Sequence, residues 1–220
     1  MSQPSRSRVA ILHYSAPPIV GGVEAVIQAH AQLFVQHGYP LTVIAGRGQA
    51  RALPAGAELL CVPEVDSRHM DVSRASEQLA RGRVPKDFAA LRDRLVERLA
   101  PHLQAVDDLI VHNVFTKHFN LPLTAALDQL LDRPGAPHCI AWCHDFTWTS
   151  PSSRDKVHAG YPWDLLRSQR PDTTYVVVSR ERQRELAGLF GCPVEQIHVV
   201  YNGVDPQVLL GLSTEGLALV

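Results

Sequence analysis

The sequence has no excess of charge of either sign and no long apolar run. Its 220 residues include 21 Lys and Arg against 22 Asp and Glu, for a formal net charge of −1. A basic surface for nucleic acid therefore has no electrostatic support. The apolar run nearest the N-terminus, residues 9–12, is too short for a signal peptide or a membrane span. We therefore expect a cytoplasmic protein that does not bind nucleic acid.

Cysteine is also scarce, and several catalytic motifs are missing. The four cysteines are Cys61, Cys139, Cys143 and Cys192. Their apolar surroundings predict buried thiols rather than a disulfide framework. On a straight strand Cys139 and Cys143 would stand about 13 Å apart, too far for one zinc ion, so we expect no metal site. The G-x-S-x-G elbow of serine hydrolases and the G-x-G-x-x-G dinucleotide fingerprint are absent as well.

What the sequence does contain is enough apolar material for one domain, since 45% of its residues are hydrophobic. Residues 9–12 form a short buried strand, and Pro17 and Pro18 end it. Gly21 and Gly22 follow, and apolar residues then recur at helical spacing as far as Phe34. The opening unit is therefore a strand, a long glycine-bearing loop and a helix.

The same alternation of strand and helix continues to about residue 201. Strands are predicted at 9–12, 41–45, 58–62, 108–114, 138–144, 174–179 and 197–201, and helices after Gly22 and at 85–103, 121–131 and 180–190. Residues 64–84 are predicted to be irregular or partly helical, and residues 145–163 to form a long loop. The alternation predicts an α/β fold, a Rossmann-like parallel sheet with helices on both faces.

Ligands of such sheets bind outside the carboxyl ends of the strands, where the strand order reverses. The residues predicted at those ends are 14–22, 112–113, 144–145 and 179–180. Four separate strand ends thus bring polar groups to one edge, which predicts a binding site there.

Gly21 and Gly22 stand where the first helix begins. The first N–H groups of a helix lack internal partners, and glycine lets a phosphate or a sugar hydroxyl approach them closely. The glycines can equally serve only to make the turn. Glu24, in the first helical turn, would repel an anion beside it. We therefore expect an uncharged part of a ligand near Glu24 and any phosphate nearer the glycines.

Four short motifs together resemble the family 4, GT-B type glycosyltransferases. They are Gly21-Gly22-Val23-Glu24, His144-Asp145, Val178-Ser179 and Asn202-Gly203-Val204-Asp205. Their order and spacing are similar to the N-terminal half of that family, and the likeness covers residues 8–205. The resemblance implies the N-terminal, acceptor-side domain of a GT-B fold.

Nothing after Asp205 is similar to the second domain of that family, which carries a basic residue pair and an E-x7-E motif. Residues 206–220 are a short apolar tail. We therefore expect residues 1–205 to form the N-terminal domain and the tail to lead toward an absent C-terminal donor-binding domain. The chain would then be a fragment and inactive alone.

The resemblance implies retaining transfer of a sugar, as by a hexosyltransferase, from a nucleotide-sugar donor to a hydroxyl acceptor, which can be soluble or held at a membrane surface. No metal or other cofactor is expected, because helix dipoles and basic side chains offset the charge of the leaving diphosphate. His144 is the predicted catalytic residue, close to the transferred sugar, and Gly21 and Gly22 are predicted to contact the donor phosphate or sugar. Predicted acceptor-side residues are Glu24, His112, Asn113, Asp145, Ser179 and Arg180, with Thr116 and Lys117 continuing the loop after Asn113.

Two other functions stay open on the sequence alone. Without a donor domain the chain can be a non-catalytic module that holds a carbohydrate or docks to a partner. It can also belong to a GT-B-like sugar-nucleotide epimerase. Titration of the chain with UDP- or GDP-sugars and with candidate acceptors would separate these functions, and donor-driven turnover would contradict the expectation that the chain is inactive alone.

Overall fold

Strands and helices alternate along residues 6–203, the part of the chain that the computed structural model describes. The strands are β1 (Val9–His13), β2 (Leu41–Ala45), β3 (Ala57–Cys61), β4 (Asp108–His112), β5 (His138–Cys143), β6 (Thr173–Val177) and β7 (Ile197–Val199), and the α-helices are α1 (Gly22–Gln36), α2 (Met70–Leu79), α3 (Phe88–Leu103), α4 (Leu121–Leu131) and α5 (Arg180–Phe190). Val204, Asp205 and the predicted tail at 206–220 lie outside the described residues.

All seven strands pair in parallel in one sheet of order β3-β2-β1-β4-β5-β6-β7. The predicted fold class, a Rossmann-like parallel sheet, is confirmed. The strand order reverses between β1 and β4, which are direct neighbours with Val9 opposite Asp108. The loops after these two strands therefore flank the switch point, where ligands of open α/β sheets bind.

Helices cover both faces of the sheet because strand residues alternate in direction. On one face Ala10 and Leu12 of β1 share a buried core with α3, α4 and α5. On the other face Val9 and Ile11 pack against α1, through Ile27 and Ala31. Two apolar layers thus enclose the sheet, and α1 packs on the face opposite to α3 and α4.

The two segments without a clear sequence period become ordered through packing. In the segment at 64–84, α2 buries Val72, Ala75 and Leu79 in a third core. In the long loop that follows β5, Val157 and Trp163 are buried in that same core. The predicted irregular insertion is therefore half helix, and the long loop is anchored to the domain.

Helix ends follow the signals in the sequence. Ser179 caps α5 by accepting a hydrogen bond from the backbone N–H of Arg182 at 3.1 Å. Gly191 ends the same helix in the left-handed region at φ 68°, which glycine adopts without a steric penalty. α4 begins and ends where predicted, with Asn120 as its N-cap.

One sequence expectation is wrong: the four thiols are not all buried. Cys139 and Cys143 are buried, and burial raises the pKa of each thiol to about 12. Cys192 is partly buried, but Cys61 is exposed. Cys61 ends β3, which is an edge strand of the sheet, and the apolar residues around it in the sequence do not cover that edge.

A helix that crosses a bilayer must be both long and apolar, because the hydrocarbon core excludes water along its whole width. None of the helices within residues 6–203 meets both requirements.

Candidate functional site

Three histidines from three strand ends lie against one another at the carboxyl edge of the sheet. His13, the last residue of β1, donates a hydrogen bond from Nδ1 to the backbone carbonyl of His112 at 3.0 Å. Nδ1 of His112, at the end of β4, lies 3.1 Å from Nε2 of His144, which follows β5. A continuous chain of polar contacts therefore crosses the switch point of the sheet.

Burial keeps these imidazoles uncharged. The side chains of His13, His112 and His144 are all buried, His112 completely. Burial lowers the pKa of His144 to about 4, with the neighbouring His13 acting in the same direction and Asp145 opposing it. Burial also lowers the pKa of His13 and, more strongly, that of His112. The group is therefore neutral near pH 7, so it can form hydrogen bonds to a ligand without presenting a cation to it.

The carboxylate of Glu24, in the first turn of α1, lies beside the start of that helix. Glu24 is buried and accepts a hydrogen bond from the hydroxyl of Ser15 at 2.5 Å. A Cβ placed on Gly21 would stand 2.2 Å from Oε2 of Glu24. An alanine at position 21 would therefore require the Glu24 side chain to move. A negative charge beside the helix N-terminus weakens that end as an anion site.

Gly22, the first residue of α1, is in a different environment. A Cβ placed on it would meet no protein atom of the described residues within 4 Å. Its neighbour Gly21 accommodates Glu24, whereas Gly22 leaves space on the outer side of the turn. The side of the turn at Gly22 is therefore open, whereas the side at Gly21 faces the carboxylate of Glu24.

Asn113 holds the loops after β4 and β5 together. It adopts the left-handed conformation at φ 63°, which Asn tolerates better than most residues. Its side-chain oxygen accepts the backbone N–H of His144 at 2.8 Å and lies 3.4 Å from that of Asp145. Asn113 therefore orients both members of the His144-Asp145 motif, and this side-chain oxygen is engaged by backbone.

Charged residues surround the outer side of the same edge. Arg182 of α5 donates to Asp145 at 3.2 Å and also pairs with Glu185 at 2.6 Å. Lys117, in the loop after β4, is partly buried, and burial lowers the pKa of its amine, while the nearby Asp145 acts against this. The loops of Lys117 and Asp145 are joined by the backbone hydrogen bond from Thr147 to Thr116 at 2.9 Å.

The two remaining predicted residues lie at the start of α5. The hydroxyl of Ser179 is occupied in capping the helix. The side chain of Arg180 is exposed. Both lie at the carboxyl end of β6, on the same edge as His144, but neither contacts the histidine group in the described residues. The structure therefore brings Gly21, Glu24, His112, Asn113, His144 and Asp145 into one connected group, with Ser179 and Arg180 beside it.

Sequence reasoning missed two members of this group. His13 and Arg182 were not predicted as site residues, yet each contacts a residue that was. Ser15, which contacts Glu24, was predicted only as part of the strand-end range 14–22. The signal for His13 was its position as the last residue of a strand leading into the glycine loop. For Arg182 there was no local signal, because its contact with Asp145 depends on how α5 packs.

A metal centre would need several ligating side chains around one point. Among residues 6–203 no three His, Cys, Asp or Glu side chains are placed to hold a metal ion together. The expectation that no metal or other cofactor is needed stays a prediction.

Comparison with known proteins is consistent with this geometry. The family model of Glycosyltransferase Family 4 matches residues 20–208. The solved structure of WaaG, a glycosyltransferase involved in lipopolysaccharide biosynthesis, aligns with a TM-score of 0.55 at 14% identity, covering 90% of this chain and 46% of WaaG. An α-glucosyltransferase in complex with UDP and a 13-mer DNA containing an HMU base aligns with a TM-score of 0.50 at 13% identity, covering 91% of this chain and 43% of that one.

Two further comparisons add nothing to the assignment. A UDP-GlcNAc 2-epimerase from Neisseria meningitidis aligns with a TM-score of only 0.38. No curated protein matches the chain. The chain thus spans less than half the length of the two glycosyltransferases to which its fold is similar.

Proposed function

The chain belongs to glycosyltransferase family 4, and we propose that it forms the acceptor-side half of an enzyme that transfers a hexose, with retention of configuration, from a nucleotide-sugar donor to a hydroxyl acceptor. The observation that carries this proposal is the connected group of strand-end residues at the switch point. Loops after β1, β4 and β5 and the start of α5 are joined there by direct contacts. These joined segments support the proposal that this edge forms one wall of a cleft.

The two sides of the α1 N-terminus are proposed to contact different parts of the donor. A phosphate at Gly22 would meet backbone N–H groups at the positive end of the helix. The same phosphate beside Glu24 would face a buried carboxylate. We therefore assign the diphosphate to the Gly22 side and uncharged sugar hydroxyls to the Glu24 side.

His144 is proposed to hydrogen-bond the transferred sugar. Its imidazole is neutral at pH 7 because burial lowers its pKa to about 4, so the bond adds no charge beside the reacting carbon. Asp145, next in the chain, is proposed to contact the acceptor, with Arg182 fixing its carboxylate. The charge on the leaving diphosphate is then offset by backbone N–H groups and by residues of the donor side.

For the acceptor we propose only a chemical class. One structural neighbour is involved in lipopolysaccharide biosynthesis, and the other was solved in complex with UDP and DNA. These two contexts have little in common, so we propose only a hydroxyl acceptor here. UDP, the nucleotide bound in the second neighbour, makes a UDP-sugar the first donor to test.

The first experiment uses the 220-residue chain as it is. We expect no release of UDP from UDP-glucose, with or without a sugar acceptor, because the donor side is proposed to lie in a further domain. Steady release of UDP would contradict the proposal that the donor site lies in a further domain. Saccharide binding that persists without any transfer, even when a donor domain is supplied, would instead favour a carbohydrate-binding module.

The second experiment supplies the donor side by fusing residues 1–205 to the donor-binding domain of a family 4 glycosyltransferase. His144→Ala in that fusion is expected to lower the transfer rate ~100-fold, the usual cost of removing one hydrogen bond to the transition state. His198→Ala, an exposed residue of β7, is the matched control. A transfer rate unchanged by His144→Ala would remove His144 from the site.

Gly22→Val in the same fusion tests the glycine turn. The added side chain meets no protein atom within 4 Å at its Cβ, so folding should be preserved while close approach of a phosphate is blocked. We expect KM for the donor to rise ~10-fold or more, the factor that each 1.4 kcal/mol of lost binding produces. Gly22→Ala is the graded control, and donor affinity equal to wild type in the valine variant would contradict the assignment.

A further inference from the structure

His112 has a ring nitrogen that the function assigned above does not use. The side chain is completely buried, and its Nε2 has no hydrogen-bond partner among residues 6–203. Its Nδ1 lies 3.1 Å from Nε2 of His144. The ring centroids are 5.4 Å apart with an angle of 25° between the planes, as expected for two rings that lie side by side. The contact therefore runs close to both ring planes, along the direction of an N–H bond or a lone pair.

A neutral pair of imidazoles places one proton in this contact, and two arrangements are possible. In the first, His112 donates from Nδ1, and His144 carries its own proton on Nδ1. In the second, His144 donates from Nε2, and His112 must carry its proton on its buried Nε2. That N–H would be left without a partner, and an orphaned buried donor is costly, about 1–3 kcal/mol.

Trp142 provides an independent reason to prefer the first arrangement. Its ring packs against that of His112 with centroids 5.9 Å apart and planes inclined at 29°. Its Nε1 is also buried without a partner among the described residues, and an indole nitrogen can only donate. With Nε2 of His112 bare, the indole N–H is the one unpartnered donor of these two packed rings. A protonated Nε2 would add a second donor to the same apolar region.

We propose that His112 is a positioning residue that locks His144 in its Nδ1–H tautomer, so that His144 offers the cleft a hydrogen-bond donor and no basic nitrogen. Nε2 of His144 is then occupied by His112, and Nδ1 is the atom left for a ligand. The ligand atom opposite it must be an acceptor, such as a hydroxyl, ring or phosphate oxygen. That this ligand is the transferred sugar rests on the function proposed above; the tautomer does not.

The direct test is NMR of the 220-residue chain labelled with ¹⁵N in its histidines. Two-bond correlations between ring protons and nitrogens report which nitrogen of each imidazole carries the proton. We expect Nδ1 to be protonated, and Nε2 bare, in both His112 and His144. Signals are assigned by their loss in His112→Phe and His144→Gln, with His198→Gln as an exposed reference. A protonated Nε2 on His144 in the wild-type chain would overturn the proposal.

Two variants separate positioning from packing. His112→Phe keeps a ring in the core but removes the donor, so His144 should change to a mixture of the two tautomers. His112→Asn retains an N–H group near the position of Nδ1 and should restore the Nδ1–H form. In the fusion enzyme the asparagine variant should recover at least a tenth of the wild-type rate, and the phenylalanine variant much less. A His144 tautomer that is the same in all three proteins would contradict a role for His112.

Failure of this proposal and failure of the proposed function give different results. The tautomers are read without donor or acceptor. His144 can be in its Nδ1–H form while the His144→Ala variant still transfers sugar at the wild-type rate. That result would contradict the role of His144 in glycosyl transfer and support the positioning role of His112. If His144→Ala is inactive and the tautomer is the opposite one, His112 has no positioning role and the function stands.

Discussion

Among single side chains, the unusual feature is a group of neutral imidazoles packed beneath the carboxyl edge of the sheet. Sequence patterns predicted His112 and His144, because each stands where an apolar strand ends. The same patterns did not predict His13 as a site residue, although it donates to the carbonyl of His112. A sequence shows where a histidine lies along a strand, but neighbouring strands decide what it touches. The contacts of single residues were therefore the least predictable part of the site.

The stability of the chain should fall in acid because of these histidines. Burial lowers the pKa of His144 from 6.5 to about 4, so between these values the unfolded chain binds a proton that the folded chain does not. Stability is then unaffected above pH 6.5 and is lost as the pH falls toward 4. The expected loss from His144 is about 3 kcal/mol at the acid end, because a tenfold difference in proton affinity between the two states corresponds to about 1.4 kcal/mol.

Chemical unfolding of wild type and His144→Gln between pH 7 and pH 4 measures this loss. The variant has no titrating ring at this position. Its free energy of unfolding should therefore rise relative to that of wild type as the pH falls. His198→Gln, at an exposed position, should show the same change of unfolding free energy with pH as wild type. A constant difference between His144→Gln and wild type across this range would mean that His144 is not held neutral by burial.

Secondary-structure elements were predicted best where their ends carry chemical signals. α4 and α5 begin and end where the sequence placed them, because Ser179 and Gly191 mark the ends of α5 and a proline-glycine turn follows α4. α2 was only partly predicted, since the burial of its apolar face depends on a third core that is built from distant segments. Local chemistry fixes helix ends, whereas tertiary packing decides whether a weakly periodic segment becomes helical.

The beginning of α1 gives a prediction about Gly21. Gly21→Ala would force the Glu24 carboxylate away, because the new Cβ would stand 2.2 Å from Oε2. The hydrogen bond from Ser15 to this charged group would be lost as well. We expect destabilisation by about 1–3 kcal/mol, measured by denaturant unfolding. Gly22→Ala, whose Cβ meets no described protein atom, is the control and should stay within about 1 kcal/mol of wild type.

The ion pairs that link α4 to the segment before β6 give a second prediction. Arg170, whose side chain is 13% exposed, donates to Asp132 at 2.6 Å and to Asp172 at 3.2 Å, and also pairs with Asp128. Arg170→Met should destabilise the chain by about 2 kcal/mol, the scale of a hydrogen bond to a charged group. Arg184→Met, at an exposed position of α5, should cost less than about 0.5 kcal/mol. Equal melting temperatures of the two variants would show that this cluster contributes nothing.

For the molecule as a whole, the parallel sheet was predicted but the order of its strands was not. Alternating strands and helices restrict the fold to a parallel α/β class, yet the same alternation is compatible with several strand orders. Which strands are central depends on long-range pairing that leaves no local mark. The convergence of the predicted loops followed from the class alone, because every parallel strand ends at the same edge.

The strand order makes a prediction about local stability. β1 and β4 lie between paired neighbours, whereas β7 has three residues and stands at the edge. Backbone amides of β1 and β4 should therefore exchange with deuterium only through global unfolding, and those of β7 much faster. Hydrogen exchange followed by mass spectrometry resolves these segments. Equal protection of β4 and β7 would contradict the strand order.

The two edges of the sheet differ in a way that bears on how such a protein can evolve. Two arginine clusters, Arg170 with its three aspartates and Arg8 with Asp107, lie at the amino ends of strands. The residues of the cleft lie at the opposite ends. Substitutions in the loops at the carboxyl edge therefore leave these two clusters untouched, and of the ion pairs described above only those of Arg182 lie close to them. Variation on one rim of the sheet can then accumulate without loss of the contacts on the other.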